Sequence, residues 1–283
     1  MNDFPDLPWP APAKLNLFLR VTGRRDDGYH DIQTLFQLLD WGDEVRVHPT
    51  RARRITRQPA SYDVPDEQDL VIKAANLLQA ETGCRRGAEI GVEKRIPMGS
   101  GMGGGSSDAA TVLLVLNKMW GCGLDLDQLA RLGRTLGADV PVFVHGRSAM
   151  AEGIGERLEP VRLGERYYVV IFPDFSVSTR EIFSDPDLSR DSKPVSLAEA
   201  LSGVGGNDCE TIVRKRFPAF IQVMHTLQKW GSPVMTGTGS GIFITMRDKK
   251  SAMSAAEAMK TLYNVRAVRG VDRSPLHEML GSC

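Results

Sequence analysis

The chain predicts an α+β fold in two units, on three observations. At 283 residues it is long enough for two ordinary domains, each with its own core. Segments with the period-2 alternation of strands are interleaved with segments whose apolar residues recur at helical spacing. Two glycine-rich turns, at 97–110 and 236–241, lie one in each half and each adjoins a strand pattern.

The first strand is expected over 13–21, where Ala13, Leu15, Leu17, Leu19 and Val21 alternate with Lys14, Asn16, Phe18 and Arg20, so that Lys14 and Asn16 share a face. Residues 24–33, RRDDGYHDIQ, turn around Gly28, and an apolar run resumes at 34–39. Between 50 and 69, Arg51, Arg53, Arg54 and Arg57 precede Asp63, Asp66, Glu67 and Asp69, the pattern of an exposed connection with self-compensating charge rather than of an anion clamp. Ala88, Ile90 and Val92 mark a strand, and Ala109, Leu113, Leu116 and Trp120 share one helical face that Gly121 and Gly123 terminate. A second helix is expected near 126–136. In LGADVPVFV, 136–144, Gly137 suits a C′ position and Asp139, before Pro141, suits the cap of a new helix. The apolar strand YYVVIF, 167–172, opens the second unit, which divides the chain into residues 1–162 and 163–283. The polar stretch 184–206 reads as loop, the turn at 236–241 feeds a strand, Ala252, Ala255, Ala256, Met259 and Leu262 trace a helix, and 265–268 forms a closing strand.

The segment PMGSGMGGGSSDAA carries the chemistry. Its five glycines and three serines stand between a strand and a long apolar helix. Glycine lets backbone N–H groups turn inward at positive φ and lets an anion approach without Cβ atoms, while the helix presents its positive end to the same place. The segment therefore reads as a phosphate cradle. It is not a P-loop, because no lysine lies between Arg95 and Lys118. Gly99, Gly101 and Gly104 match the dinucleotide fingerprint, but Asp125 sits in a turn opening another helix rather than at the end of a second strand. The catalytic-loop motifs of protein kinases are absent. A branched side chain at Gly104 is expected to fill the phosphate space.

Composition limits the partners. The 35 basic residues balance 35 acidic ones, so nothing draws the whole chain to nucleic acid or anionic lipid, and anion binding must be local. Cys84, Cys122, Cys209 and Cys283 are widely spaced, which suits reduced thiols in the cytoplasm rather than a disulfide framework. The amino terminus has acids and prolines where a signal peptide has a basic patch and an apolar core, and no apolar run is long enough to span a bilayer. The sequence assigns no oligomeric state and no metal ligand.

Three segments, PAPAKLNLFL with DGYH, PMGSGMGGGSSDAA, and TGTGSGIF, together resemble the galactokinase, homoserine kinase, mevalonate kinase and phosphomevalonate kinase superfamily. Within it, AKLNLFL, TGRRDDGYHDIQTLFQ, LGADVPVF, GNDCE and SPLHEMLG are similar to the 4-diphosphocytidyl-2-C-methyl-D-erythritol kinase family over nearly the whole chain. The resemblance implies an N-terminal ribosomal-protein-S5-like domain and a C-terminal ferredoxin-like domain with the active site between them. It implies ATP-dependent phosphorylation of the 2-hydroxyl of the methylerythritol moiety, with Mg2+ accompanying ATP. It places the ATP phosphates on Pro97, Met98, Gly99, Ser100, Gly101, Met102, Gly103, Gly104, Gly105, Ser106 and Ser107, and the acceptor hydroxyl between Lys14 and Asp139. Asp139 would accept the proton and Lys14 would stabilise developing charge, a division of labour that suits phosphoryl transfer. Tyr29, His30 and Phe183 would surround the cytidine base, with Asn16 and Thr179 as further substrate contacts. Ser106 or Ser107 could offer Mg2+ an oxygen. Three residues depart from the family pattern: Met102 stands for a leucine, Asp69 for an asparagine near the adenine, and Asp108 for an asparagine or alanine. A sister kinase acting on homoserine, mevalonate or a sugar, and a non-catalytic nucleotide- or RNA-binding protein on the S5-like fold, stay open as other readings.

Overall fold

A computed structural model describes residues 7–59 and 64–282. The chain opens with two long strands, β1 (Trp9–Arg24) and β2 (His30–Thr50), then a short β3 (Ile55–Arg57), α1 (Leu70–Thr82) and β4 (Gly87–Glu93). There follow α2 (Gly104–Trp120), α3 (Leu126–Arg134), α4 (Val140–His145), β5 (Ala149–Glu152) and β6 (Arg157–Pro160). The second half holds β7 (Arg166–Phe172), α5 (Thr179–Ser184), α6 (Leu197–Leu201), α7 (Asp208–Arg216), α8 (Pro218–Leu227), β8 (Pro233–Met235), β9 (Ile242–Met246), α9 (Lys249–Met259), β10 (Asn264–Val271) and α10 (Pro275–Gly281).

One sheet runs through both halves in the order β3-β4-β2-β10-β7-β9-β8, with β1 and β5 also paired to β2. The strand β2 is the common member: it pairs with β1 along most of its length, with β5 at Thr34 to Phe36, with β4 at Glu44 to Thr50, and with β10 at Leu38 and Leu39. Such sharing needs a strand buried on both faces, and the middle of β2 is an unbroken buried run. Two main cores flank the sheet. One gathers α1, α2, α3 and α4 around Leu78, Ile90, Leu113, Leu116 and Phe143; the other gathers α7, α8 and α9 around Ile171, Phe220, Met224 and Ile244. A third cluster of Ala13, Leu15, Met102, Tyr168, Phe172 and Phe243 joins residues from both halves. The last segment returns to the first core, where Leu276 is buried with Met279 and Leu280 packed beside it.

Several expectations change. β1 extends beyond 13–21 at both ends because β2 supplies partners from Trp9 to Arg24. The stretch 50–69 is not merely a solvated connection: β3 adds in parallel to β4, and Arg57 Nη1 donates to the buried Asp69 carboxylate at 2.8 Å, while Asp63 lies outside the described residues. Gly137 does not take the left-handed conformation; α3 closes at Thr135, and Gly137 donates to the Gly133 carbonyl. Leu262 falls beyond the end of α9 and is exposed. The stretch 184–206 contains α6, begun by a Ser196–Glu199 capping box. The helix α1, begun by Asp69, had no counterpart in the sequence reading.

Candidate active site

The glycine-rich segment sits on the floor of a cleft of about 1130 Å³. Gly99, Gly101 and Gly103 all take positive φ, near 70°, as a turn that folds back on itself requires. The first turn of α2, whose cap Gly103 makes no side-chain hydrogen bond, presents N–H groups that have no intrahelical acceptor. That end of a 17-residue helix is suited to an anion. The second glycine-rich turn holds the first in place: Ser240 N donates to Gly99 O at 3.0 Å and Gly241 N to Ser100 O at 3.1 Å. Asn207, of GNDCE, steadies that second turn by donating to the carbonyls of Met235 and Gly237. The side chain of Met102 is buried in the joining cluster and anchors the loop.

Lys14 and Asn16 do share a face of β1, and both are buried. The Lys14 ammonium donates to Asn16 Oδ1 and to Gly101 O (2.8 Å), and lies 3.3 Å from Asp139 Oδ2. Asn16 is held in turn, donating Nδ2 to Thr34 Oγ1 at 2.9 Å. Asp139 occupies the N-cap position of α4 without capping it; its carboxylate points instead to Lys14, and about a third of it is exposed in the cleft (32%). The helix-cap role expected from its spacing is thus absent, and the carboxylate is paired with Lys14 at the surface of the cleft.

Behind the start of α2 lies a charge cluster that the sequence did not reveal. Lys94 Nζ donates to Asp43 and, at 2.8 Å, to Asp108 Oδ2, while Asp43 Oδ1 also accepts from Ile96 N at 2.7 Å. Burial pushes the Asp108 carboxyl up, to about 7, with Lys94 opposing and Asp43 reinforcing the rise; Asp108 Oδ1 is buried without a partner. Burial works against the Lys94 charge, but the two carboxylates outweigh it and hold its pKa above the ordinary lysine value. A Cβ on Gly104, which also lines the cleft, would meet Lys94 Nζ at 3.1 Å and Asp43 Oδ2 and Ile96 Cβ at 3.2 Å, so a side chain here would crowd the charge cluster as well as the cleft. Ser107 is fully buried and donates to Pro12 O at 2.7 Å, which removes it as a candidate metal ligand; Ser106 lines the cleft. Among the described residues there is no group of three or more His, Cys, Asp or Glu that could hold a metal.

Tyr29, His30, Thr179 and Phe183 also line the cleft. Tyr29 is exposed (58%), whereas His30 is buried and its ring lies 5.2 Å from that of Phe183. Thr179 shares a hydrogen bond with Thr238 (2.9 Å), tying α5 to the second glycine turn. Asp69 lines the cleft too, but its oxygens are engaged by Val71 N and Arg57. Pro97, Met98, Ser100 and Gly105 line the cleft with the rest of the loop.

A family model for the GHMP kinases N terminal domain matches residues 69–147, the span from the start of α1 through α4. The 4-diphosphocytidyl-2-C-methyl-D-erythritol kinase of Halorhodospira halophila is 47% identical over 272 residues, covering 95% of this chain and 94% of that one. The chain belongs to the 4-diphosphocytidyl-2-C-methyl-D-erythritol kinase family. A second member, from Xanthomonas axonopodis pv. citri, is 48% identical over 281 residues, covering 98% of this chain and 95% of its own length. A crystal structure of a 4-(cytidine 5'-diphospho)-2C-methyl-D-erythritol kinase, 36% identical, superposes with a TM-score of 0.80 over 94% of this chain and all of that one. A mevalonate kinase crystal structure, at 11% identity and a TM-score of 0.69 over 94% of this chain and 100% of its own, shares the fold. The family is thus one of ATP-dependent phosphotransferases of mixed α and β structure. No helix among the described residues is long and apolar enough to cross a membrane.

Proposed function

We propose that this protein transfers the γ-phosphoryl group of ATP to the 2-hydroxyl of 4-diphosphocytidyl-2-C-methyl-D-erythritol, releasing ADP. The observation that carries the proposal is the Lys14–Asp139 pair, 3.3 Å apart in one cleft that the glycine loop and Tyr29, His30 and Phe183 also line. Phosphoryl transfer needs little covalent help from the protein, which must position donor and acceptor and balance charge. Asp139 accepts the proton of the 2-hydroxyl as its oxygen forms a bond to the γ-phosphorus and the bond to the ADP oxygen breaks. Lys14, neutralised at rest by Asp139 and fixed by Asn16 and Gly101 O, faces the charge that develops on the transferring group. Asn16 then serves through Lys14, since its amide is committed to Lys14 and Thr34.

Mg2+ fits this cleft as a companion of the nucleotide rather than as a resident of a protein cage, since it typically takes one or two protein oxygens and the rest from phosphate and water. The Ser106 hydroxyl is the loop oxygen open to it, and the ion would neutralise phosphate charge. Tyr29 and Phe183 suit a pyrimidine by stacking and His30 by its ring nitrogen, with Thr179 nearby. The units are taken as residues 1–162, S5-like, and 163–283, ferredoxin-like, working in the cytoplasm without nucleic acid. Assaying ADP release from MgATP with the cytidylated substrate against mevalonate, homoserine and galactose tests the proposal. Turnover of the cytidylated alcohol alone is expected, and turnover of another alcohol in its place would overturn the substrate.

A further inference from the structure

His30 is buried at the start of β2, and behind it, outside the lining of the cleft, stands Arg190 from the loop that follows α5. Arg190 Nε donates to His30 Nε2 at 3.0 Å. The guanidinium is itself clamped: Nη1 donates to Leu188 O at 2.9 Å and Nη2 to Asp185 O at 2.7 Å, while Arg216 grips the Asp185 carboxylate from the other side. An arginine side chain has five N–H donors, no acceptor, and no accessible neutral form. The nitrogen facing it must therefore carry a lone pair. Burial lowers the His30 pKa and the positive charges of Arg190 and Arg24 lower it further, so the ring is neutral and its one proton sits on Nδ1. Nδ1 has no hydrogen-bond partner among the described residues, and His30 lines the cleft.

We propose that Arg190 locks His30 as the Nδ1–H tautomer and thereby makes the base pocket selective for cytosine over uracil. The proposal rests on the base-pocket reading given above. The two bases differ at the ring edge: cytosine offers a bare N3 and uracil an N3–H. A fixed N–H donor pairs with the first and opposes the second with a donor. A free histidine would adapt by moving its proton to the other nitrogen, and Arg190 forbids that move. Arg190 is thus a positioning residue, acting on the base only through His30.

The test uses the full chain saturated with ADP, titrated calorimetrically with CDP and with UDP, together with 15N spectra of the histidine rings, His30 being identified by its loss in His30→Gln. The wild type should favour CDP by roughly tenfold or more, the scale of one buried donor left facing another. Its His30 should show the proton on Nδ1. Arg190→Met should bring the two affinities together and shift the proton toward Nε2, whereas Arg190→Lys, which still donates, should retain both properties. Should Arg190→Met not fold, His30→Gln carries the test, since an amide that can turn either edge to the base should bind UDP nearly as well as CDP. A proton on Nε2 in the wild type, equal affinities in the wild type, or unchanged selectivity in Arg190→Met or His30→Gln would each overturn the proposal. Failure of both nucleotides to bind while the proton stays on Nδ1 would instead overturn the cytidine pocket, leaving the locked tautomer as a structural feature.

Discussion

Replacing Asp139 by asparagine tests the proton-transfer step most directly. The carboxylate makes one ion pair, caps nothing, and keeps about a third of its surface in water. The pair is solvated on the Asp139 side only, Lys14 being 3% exposed, so losing the carboxylate should cost about 1–3 kcal/mol, with Asn16 Oδ1 and Gly101 O kept as acceptors. For a chain of this size each kcal/mol moves the melting temperature by about 2–4 °C, so a clear but limited fall is expected. Turnover should fall far more, by roughly 10² to 10⁴, the usual range for a lost general base. Converted at about 1.4 kcal/mol per decade, that is about 3–5 kcal/mol of barrier, above the structural cost. ADP release measured at saturating MgATP reads the turnover, and calorimetric titration with ADP checks that nucleotide binding is retained. Turnover within about threefold of the wild type would remove Asp139 from proton transfer, given the size of general-base effects.

Tyr29→Ala, at an exposed residue, should leave the melting temperature unchanged while raising KM for the cytidylated substrate by roughly 5- to 150-fold, from about 1–3 kcal/mol of stacking, and that for ATP little; the reverse ranking in steady-state kinetics would contradict the pocket assignment. Because the folded Asp108 carboxyl titrates near 7 rather than 3.8, the folded chain binds more protons than the unfolded one between those values, and stability falls as pH rises through that window. Asp108→Asn removes this slope, so its melting temperature relative to wild type should be more favourable at about pH 8 than at about pH 5; an offset independent of pH would show that Asp108 ionises normally. Gly101→Ala places a Cβ 2.4 Å from the Thr236 carbonyl at a φ of +73°, which should pry the two glycine turns apart and weaken ADP binding. Gly28→Ala, at a φ of +86° with nothing within 4 Å, should cost only backbone strain of about 1 kcal/mol. Equal thermal destabilisation by the two alanines would mean that contact between the turns contributes little.

Local pattern settled whatever depends on neighbours in the chain. The alternation of 13–21 put Lys14 and Asn16 on one face, the glycines of 97–110 marked a turn needing positive φ, and Gly121 stopped α2 in the left-handed conformation. Asp125 opens α3 through a capping box. These are properties of φ, of side-chain period and of cap chemistry, which act over a few residues. Distant residues meet only through packing, and there the sequence was silent or misleading. Asp139 has the spacing of a cap, yet β1 supplies Lys14 as the partner of its carboxylate. Ser106 and Ser107 are adjacent in the chain, but one helical step of about 100° turns the first to the cleft and the second to Pro12 O. Asp43, Lys94 and Asp108 are separated by 51 and 14 residues and become one charge cluster only because β2, the end of β4 and α2 converge. Arg190 stands 160 residues from His30, and nothing local in either segment encodes their pairing. The sequence by itself determined the strand–loop–helix cradle and the face on which its lysine lies, because short-range geometry suffices for both. The turn of Asp139 toward Lys14, the groups behind Gly104 and the pairing of His30 with Arg190 were decided by the tertiary structure, because each depends on which charged or bulky group another part of the chain brings within hydrogen-bond reach.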